Sequence, residues 1–300
     1  MTPDIIRHGE KIDRPGLYRM PINWYHDDCT VGPSISSTGI RTLLDCPAKY
    51  WATSYLNPDR APTQSNAVFD FGKCAHSVIL EGRLPRREFA VSPYADFRTK
   101  AAQAWKEKAE RIGLAIIKPD DLRTIAGMYQ QIMRHPIVEA GGLDGMVEMS
   151  LIWKDEATGV WCKTRPDSIP LGNMIVDYKT VADASLRAVA QSVEKYRYDI
   201  QIAMAIAGMK AVLGQSVESA GLLCQEKVHP FVVSFYEIAD SYLAAGMQMF
   251  RQGLETFRGC LDANDWPGFF EDNSTIVPRD FILRRAFGGE SADIGVLDDA

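Results

Sequence analysis

The spacing of apolar positions changes period twice along this chain. From Ser36 to Tyr55, Ile40, Leu43 and Leu44 recur at helical spacing behind a Ser-Ser-Thr start, and Pro47 divides the segment into two short helices. Asn66 to Gly82 opens on a capping residue, carries Phe69, Phe71, Val78, Ile79 and Leu80, and closes on glycine, which predicts a buried helix. Two helices with solvated outer faces should follow: Thr99 to Gly113, rich in Ala, Lys and Glu, and Pro119 to Pro136, which leads with aspartates.

Between 145 and 181 the period becomes that of strands. GMVEMSLIW (145–153), VWCKTRPDSI (160–169) and NMIVDYKTV (173–181) are short, apolar and β-branched, and DEATG and PLGN separate them. They predict a three-stranded antiparallel meander. Helical spacing returns at Leu186, Val189, Ala190, Val193, Ile200, Ala203, Met204 and Ala207, as one long helix or as two broken near Tyr196. SAGLLCQEK and FVVSFYEI read as strands, and Asp240 to Leu261 as a closing helix. The fold class expected is α/β, a mixed central β-sheet with an antiparallel meander, flanked by helices. The expected layout is an N-terminal arm over 1–35, one domain over 36–285 and a loosely ordered tail over 286–300.

Three hundred residues, 46% of them apolar, are enough for one large core. No run approaches the ~18 apolar residues of a membrane helix, so a cytoplasmic protein without membrane contact is expected. Cys29, Cys46, Cys74, Cys162, Cys224 and Cys260 are scattered with no CxxC pair, which indicates neither a zinc knuckle nor a dithiol motif and reads as reduced, buried thiols. A net charge of −6 argues against a chain that coats nucleic acid nonspecifically and leaves room for a local basic groove.

The chemistry concentrates in CKTRPDSIPLGNMIVDYKT, Cys162 to Thr180. In a strand Asp177 and Lys179 share one face while Val176 and Tyr178 take the other. A turn around PLGN would set Asp167 opposite Asp177, or one position out of register, with β-carbons ~5 Å apart. Two carboxylates that close repel unless one binds a proton or both share a cation. Oxygen ligands of this kind suit Mg²⁺ or Mn²⁺, and a lysine beside them can orient a nucleophile and stabilise developing charge. Phosphodiester hydrolysis fits that set. An acid, a spacer and a lysine on a strand also occur as an ordinary surface ion pair worth under ~1 kcal/mol; Asp167 and the apolar run before Asp177 favour a site.

RPD at Arg165 to Asp167 and, ten residues on, DYKT at Asp177 to Thr180, with EMSLIWKDEATG, FRTKAAQAW and WPGF, resemble the PD-(D/E)xK nucleases. The likeness is strongest to the branch with RecE-type exonuclease VIII, RecB-like nuclease domains and lambda exonuclease, over roughly Ser36 to Phe270. The resemblance implies a restriction-endonuclease-like core with Asp167, Asp177 and the Tyr178 backbone carbonyl as metal ligands and Lys179 as catalytic lysine. It makes His76 an additional metal ligand and sets Gln201 on the scissile phosphate or its water. The tyrosine that the family often has four residues after that glutamine is Ala205 here, and Tyr198, one turn earlier, would present its ring to the same groove. Arg165 becomes a phosphate contact; Glu148 either assists the metal site, binds neighbouring backbone or is a plain exposed glutamate.

The same resemblance implies Mg²⁺, with Mn²⁺ able to substitute, and linear double-stranded DNA as substrate. The DNA would be consumed from the 5′ end to leave a 3′ strand for a single-strand annealing protein, by a ring-shaped homo-oligomer of a phage type. An iron-sulfur cluster is not expected, since Cys260 stands alone near the C-terminus. Two alternatives stay open: a catalytically idle DNA-end-binding or scaffold protein, and another endonuclease on the same core.

Overall fold

The computed structural model describes residues 2–61 and 67–269, with positions 277, 278, 282 and 285 beyond them. The segment before the family-like region contributes β1 (Asp4–Ile5), β2 (Gly16–Arg19), α1 (Ile22–Tyr25) and β3 (Ser34–Ser36). Then come α2 (Ser37–Asp45), α3 (Pro47–Thr53), α4 (Ala67–Glu81), β4 (Phe89–Val91), α5 (Lys100–Arg111), β5 (Ala115–Ile117), α6 (Pro119–Ile132) and α7 (Pro136–Glu139). The central strands are β6 (Gly145–Val147), β7 (Ser150–Lys154), β8 (Trp161–Thr164), β9 (Ser168–Pro170) and β10 (Met174–Val181). The chain continues through α8 (Leu186–Tyr196), α9 (Tyr198–Leu213), β11 (Ser219–Glu226), β12 (Val233–Glu237) and α10 (Asp240–Ala263). The fold is mixed α/β, with β-structure at the centre and helices on its faces.

The helix ends follow local chemistry. Ser36, Thr99 and Ser185 each accept a hydrogen bond from a first-turn amide, of Gly39, Ala102 and Ala188 respectively. Pro47, at the start of α3, separates it from α2 as its fixed φ and missing N–H require.

The first two predicted strands pair as a hairpin: β7 runs antiparallel to β8, with Leu151 opposite Thr164. The third does not extend that ladder. β10 pairs in parallel with β11, Asp177 facing Leu222 and Lys179 facing Cys224, and β12 adds antiparallel to β11. The short strands β6 and β9 form their own antiparallel pair. The physical reason is burial on both faces of β10, since a parallel neighbour needs a crossover and α8 and α9 supply it while covering one face. β2 joins β7 and β3 joins β8, so residues before Ser37 extend the sheet on both sides of the hairpin. The expected tail over 286–300 lies outside the described residues.

α9 is buried almost all round, with Ile200, Ile202, Ala203, Met204, Ala205 and Met209 in contact with core. A helix apolar on every side belongs in the interior, and α9 is wedged between the β7–β8 hairpin, β10–β11 and α10. Glycines permit the approach. A methyl group on Gly246 of α10 would overlap the Asp199 carbonyl oxygen and come within 3.1 Å of the Ile200 nitrogen, both backbone atoms of α9. Among the described residues no helix is long and apolar enough to cross a membrane.

Gly246→Ala should therefore push α10 off the first turn of α9 and cost about 1–3 kcal/mol by overpacking. Urea denaturation checks this; a variant as stable as the parent would show that the two helices separate without penalty.

Candidate active site

The site is built on β10. Alternation along the strand sends Val176 and Tyr178 toward α4 and α6, where they meet Cys74, Ile79, Ile125 and Met128. Ile175 on the other face packs with Val189, Ile202 and Leu222. Asp177 and Lys179 follow it on that face and lie against α9. The strand thus holds an acid and an amine inside an otherwise apolar layer.

Asp177 is 4% exposed, and its Oδ1 accepts from Gln201 Nε2 at 2.9 Å. Oδ2 is ion-paired at close range with the Lys179 ammonium, so both oxygens of this buried carboxylate have a partner. Lys179 donates to Gln201 Oε1 at 3.4 Å and rests 4.9 Å from the centre of the Tyr198 ring. Asp167 comes from the turn before β9. Its Oδ2 accepts the Tyr178 backbone N–H at 2.7 Å and its Oδ1 lies 2.9 Å from His76 Nε2, which α4 supplies.

The register differs from the antiparallel facing pair that a meander would give. Asp167 meets the backbone one residue beyond Asp177, along the β10 edge that β11 does not occupy. N–H and C=O of one residue leave a strand on the same edge, so the Tyr178 carbonyl faces this edge too.

Burial and the Asp167 charge raise the Asp177 pKa to about 6, with Lys179 and His76 working the other way. Burial would also raise Asp167, but the His76 charge and hydrogen bond, Lys179 and the Tyr178 amide outweigh it and hold that carboxyl below its ordinary value. Burial works against charge on both bases and is outweighed: Asp167, with Glu148 behind it, raises the His76 value, and Asp177 with Asp167 raises that of Lys179. The set is two acids and two bases in balance. Among the described residues no three His, Cys, Asp or Glu side chains sit together as a ready metal cluster.

Arg165 and Glu148 sit to one side and hold each other. Arg165 donates to Ser150 Oγ at 3.0 Å, to the Met20 carbonyl at 2.9 Å and to Glu148 Oε2 at 3.4 Å, and its guanidinium lies over the Tyr25 ring. Its donors are thus turned to protein. Glu148 occupies a left-handed kink, φ 59°, between β6 and β7. The structure also brings in Arg41 of α2, which donates to the Tyr196 carbonyl and feels the charges of Asp177 and Asp199. Nothing in the local pattern around Arg41 marks it, since the contact is with a helix far along the chain.

A family model described as "PDDEXK-like domain of unknown function (DUF3799)" matches residues 36–274, and the chain belongs to that family. Its fold and its acid-acid-lysine pattern are those of the PD-(D/E)xK nuclease superfamily. A crystal structure of a "Putative exonuclease" from Eubacterium rectale is similar in fold, with a TM-score of 0.56 at 14% identity over 86% of this chain and 94% of that one. No curated protein matches the sequence.

The His76–Asp167 pair makes stability depend on pH in the metal-free protein. The raised His76 value gives a contribution complete below its ordinary 6.5 and lost as pH rises through the folded-state value. The depressed Asp167 value gives one complete above 3.8 and lost as pH falls through the folded-state value. His76→Ala should accordingly cost about 2 kcal/mol between those limits, the worth of a charged hydrogen bond, and less as pH rises through the folded-state His76 value. Urea titrations across pH test it; a deficit that grows toward alkaline pH would contradict the pairing.

Proposed function

We propose that the protein is a metal-dependent exodeoxyribonuclease that shortens one strand of linear duplex DNA from its 5′ end. The observation carrying this is a pair of buried acids: Asp177, nearly inaccessible and ion-paired with Lys179, lies close enough to Asp167 that this charge, added to burial, raises its pKa. Two buried carboxylates this close repel each other unless a proton or a shared cation offsets their charge. Asp167, Asp177 and the Tyr178 carbonyl offer the oxygen donors that Mg²⁺ and Mn²⁺ take, and His76 Nε2 adds a nitrogen that Mn²⁺ accepts more readily. Superfamily membership supports a divalent ion here.

A divalent ion held by these residues would neutralise the phosphodiester and acidify a water. The chain supplies the rest. Lys179, kept protonated by two carboxylates, hydrogen-bonds the attacking water or a phosphate oxygen as negative charge develops. Gln201 is pinned to Asp177 through its amide nitrogen and turns its oxygen to the ammonium, which fixes where that donor points. Tyr198 beneath the ammonium keeps bulk water from one side. Arg165 and Glu148 position the strands around Asp167 and reach the phosphate only if their mutual pair opens.

The RecE-type resemblance supports the finer reading: Mg²⁺ in the cell, a 3′ strand passed to an annealing protein in phage-type recombination, a ring-shaped homo-oligomer, and a nuclease domain over 36–285 preceded by an arm. An idle end-binding protein of this fold is the competing reading, and the clustered acids disfavour it because binding alone has no need of them.

Incubation with Mg²⁺ or Mn²⁺ should degrade linear and spare closed circular duplex, and Asp177→Ala should lower the rate by on the order of 10³-fold. Wild-type protein that binds ends and cuts in neither metal would establish the idle reading. Because a ligand carboxylate and a ligand imidazole must each lose a proton, calorimetric Mn²⁺ affinity should rise with pH through the Asp177 value of about 6 and go on rising through the raised His76 value. It should weaken by at least about tenfold per pH unit below the Asp177 value; affinity independent of pH down to about 4 would remove Asp177 from the ligand set.

A further inference from the structure

The break between α8 and α9 has a purpose that helix packing does not explain. Tyr196 ends α8, Tyr198 begins α9, and Arg197 between them takes left-handed angles, φ 51° and ψ 53°. In a continuous helix two residues apart point to nearly opposite sides. Here the two rings are stacked, with centroids 5.8 Å apart and planes inclined by 24°. A non-glycine residue resists this conformation, and three contacts hold it. Arg197 makes two bonds to the buried carboxylate of Asp199, Nε to Oδ1 at 3.0 Å and a terminal nitrogen to Oδ2 at 2.7 Å, while Arg41 donates to the Tyr196 carbonyl.

The stack runs outward from the site. The inner ring, Tyr198, carries the Lys179 ammonium, and the outer ring, Tyr196, is 46% exposed. The exposed Lys195 sits with its ammonium 5.2 Å from the Tyr196 centroid. An open aromatic face with cations beside it, next to a phosphodiester site, is suited to a nucleobase and its phosphate. Bases inside a duplex have both faces covered by their neighbours; an unpaired base has a face to offer.

We infer that Tyr196 is a stacking platform for an unpaired nucleobase beside the scissile phosphate, so that the strand enters the site already separated from its complement. This specificity role rests on the nuclease reading of the same site. Tyr198 holds the platform in line with Lys179, and the Arg197 break sets its angle. The base displaces the exposed Lys195 side chain, whose ammonium then accompanies the phosphate.

Two DNA hairpins decide it, one blunt and one with a short 5′ overhang carrying 2-aminopurine at the junction, bound in EDTA by wild type, Tyr196→Ala and Tyr196→Phe. Wild type should quench the fluorophore and prefer the overhang; Tyr196→Ala should lose the quench and bind the overhang about tenfold more weakly. Tyr196→Phe, which keeps the ring, should restore both. In Mg²⁺ the alanine variant should raise KM on the overhang while kcat changes little. Equal quenching and affinity in wild type and Tyr196→Ala, with unchanged melting temperature, overturns the platform and leaves the nuclease reading intact. Wild type that quenches normally but cuts neither hairpin in Mg²⁺ or Mn²⁺ overturns the nuclease reading and sustains the platform as a binding device.

Discussion

An acid and an amine, adjacent on one face of a buried strand, have to be kept charged in an apolar layer, and much of the surrounding structure answers that requirement. Desolvation works against Asp177 and Lys179 alike, and their mutual attraction offsets it only with further hydrogen-bonding partners. Gln201 is that partner, and it has to come from a helix lying almost in the core. This is why α9 is apolar on nearly every side yet carries one amide facing β10. It is also why Gly246 of α10 and Gly208 of α9 carry no side chain: a methyl on Gly208 would come within 2.8 Å of the Trp153 ring.

The opposite face of β10 secures the second half of the site by different means. Tyr178 sends its hydroxyl to Gln225 at 2.9 Å, and Gln225 in turn donates to the Met128 carbonyl of α6 at 2.8 Å. The Tyr178 ring packs beside His76, while its backbone amide holds Asp167. One residue therefore orients both members of the His76–Asp167 pair, and its position between Asp177 and Lys179 is a consequence of strand alternation. Changing the register of β10 by one residue would exchange the charged and apolar faces together.

What could be read from the residues follows from which interactions are local. The alternation around Asp177 and Lys179, the two helices split at Pro47 and the return of helical spacing after Leu186 are all encoded within a few positions, and the structure has them. Pairing of β10 with β11 is set across the intervening α8–α9 crossover, so a short turn at PLGN suggested an antiparallel partner instead. The left-handed Arg197 had no glycine to announce it, and its clamp on Asp199 and the Arg41 contact appear only once helices are packed. His76 and Gln201 were singled out through resemblance, not through periodicity, because a histidine and a glutamine on helices are ordinary in themselves.

Arg165 shows how a motif residue can belong to two structures at once. It lies two residues before Asp167, where a phosphate contact was expected, yet its donors reach Ser150, Glu148 and the Met20 carbonyl, and Tyr25 covers its face. Met20 and Tyr25 precede the region matched by the family, so this guanidinium fastens the N-terminal segment to the strand turn that presents Asp167. A buried, multiply bonded arginine is a poor partner for an arriving phosphate, which would have to break those bonds first. An exposed cation, Lys195, stands instead beside the exposed tyrosine of the α8–α9 break. The two sides of the site thus differ in build: toward the N-terminal segment a multiply bonded guanidinium fixes the turn that presents Asp167, and at the α8–α9 break an aromatic ring and a lysine stand exposed.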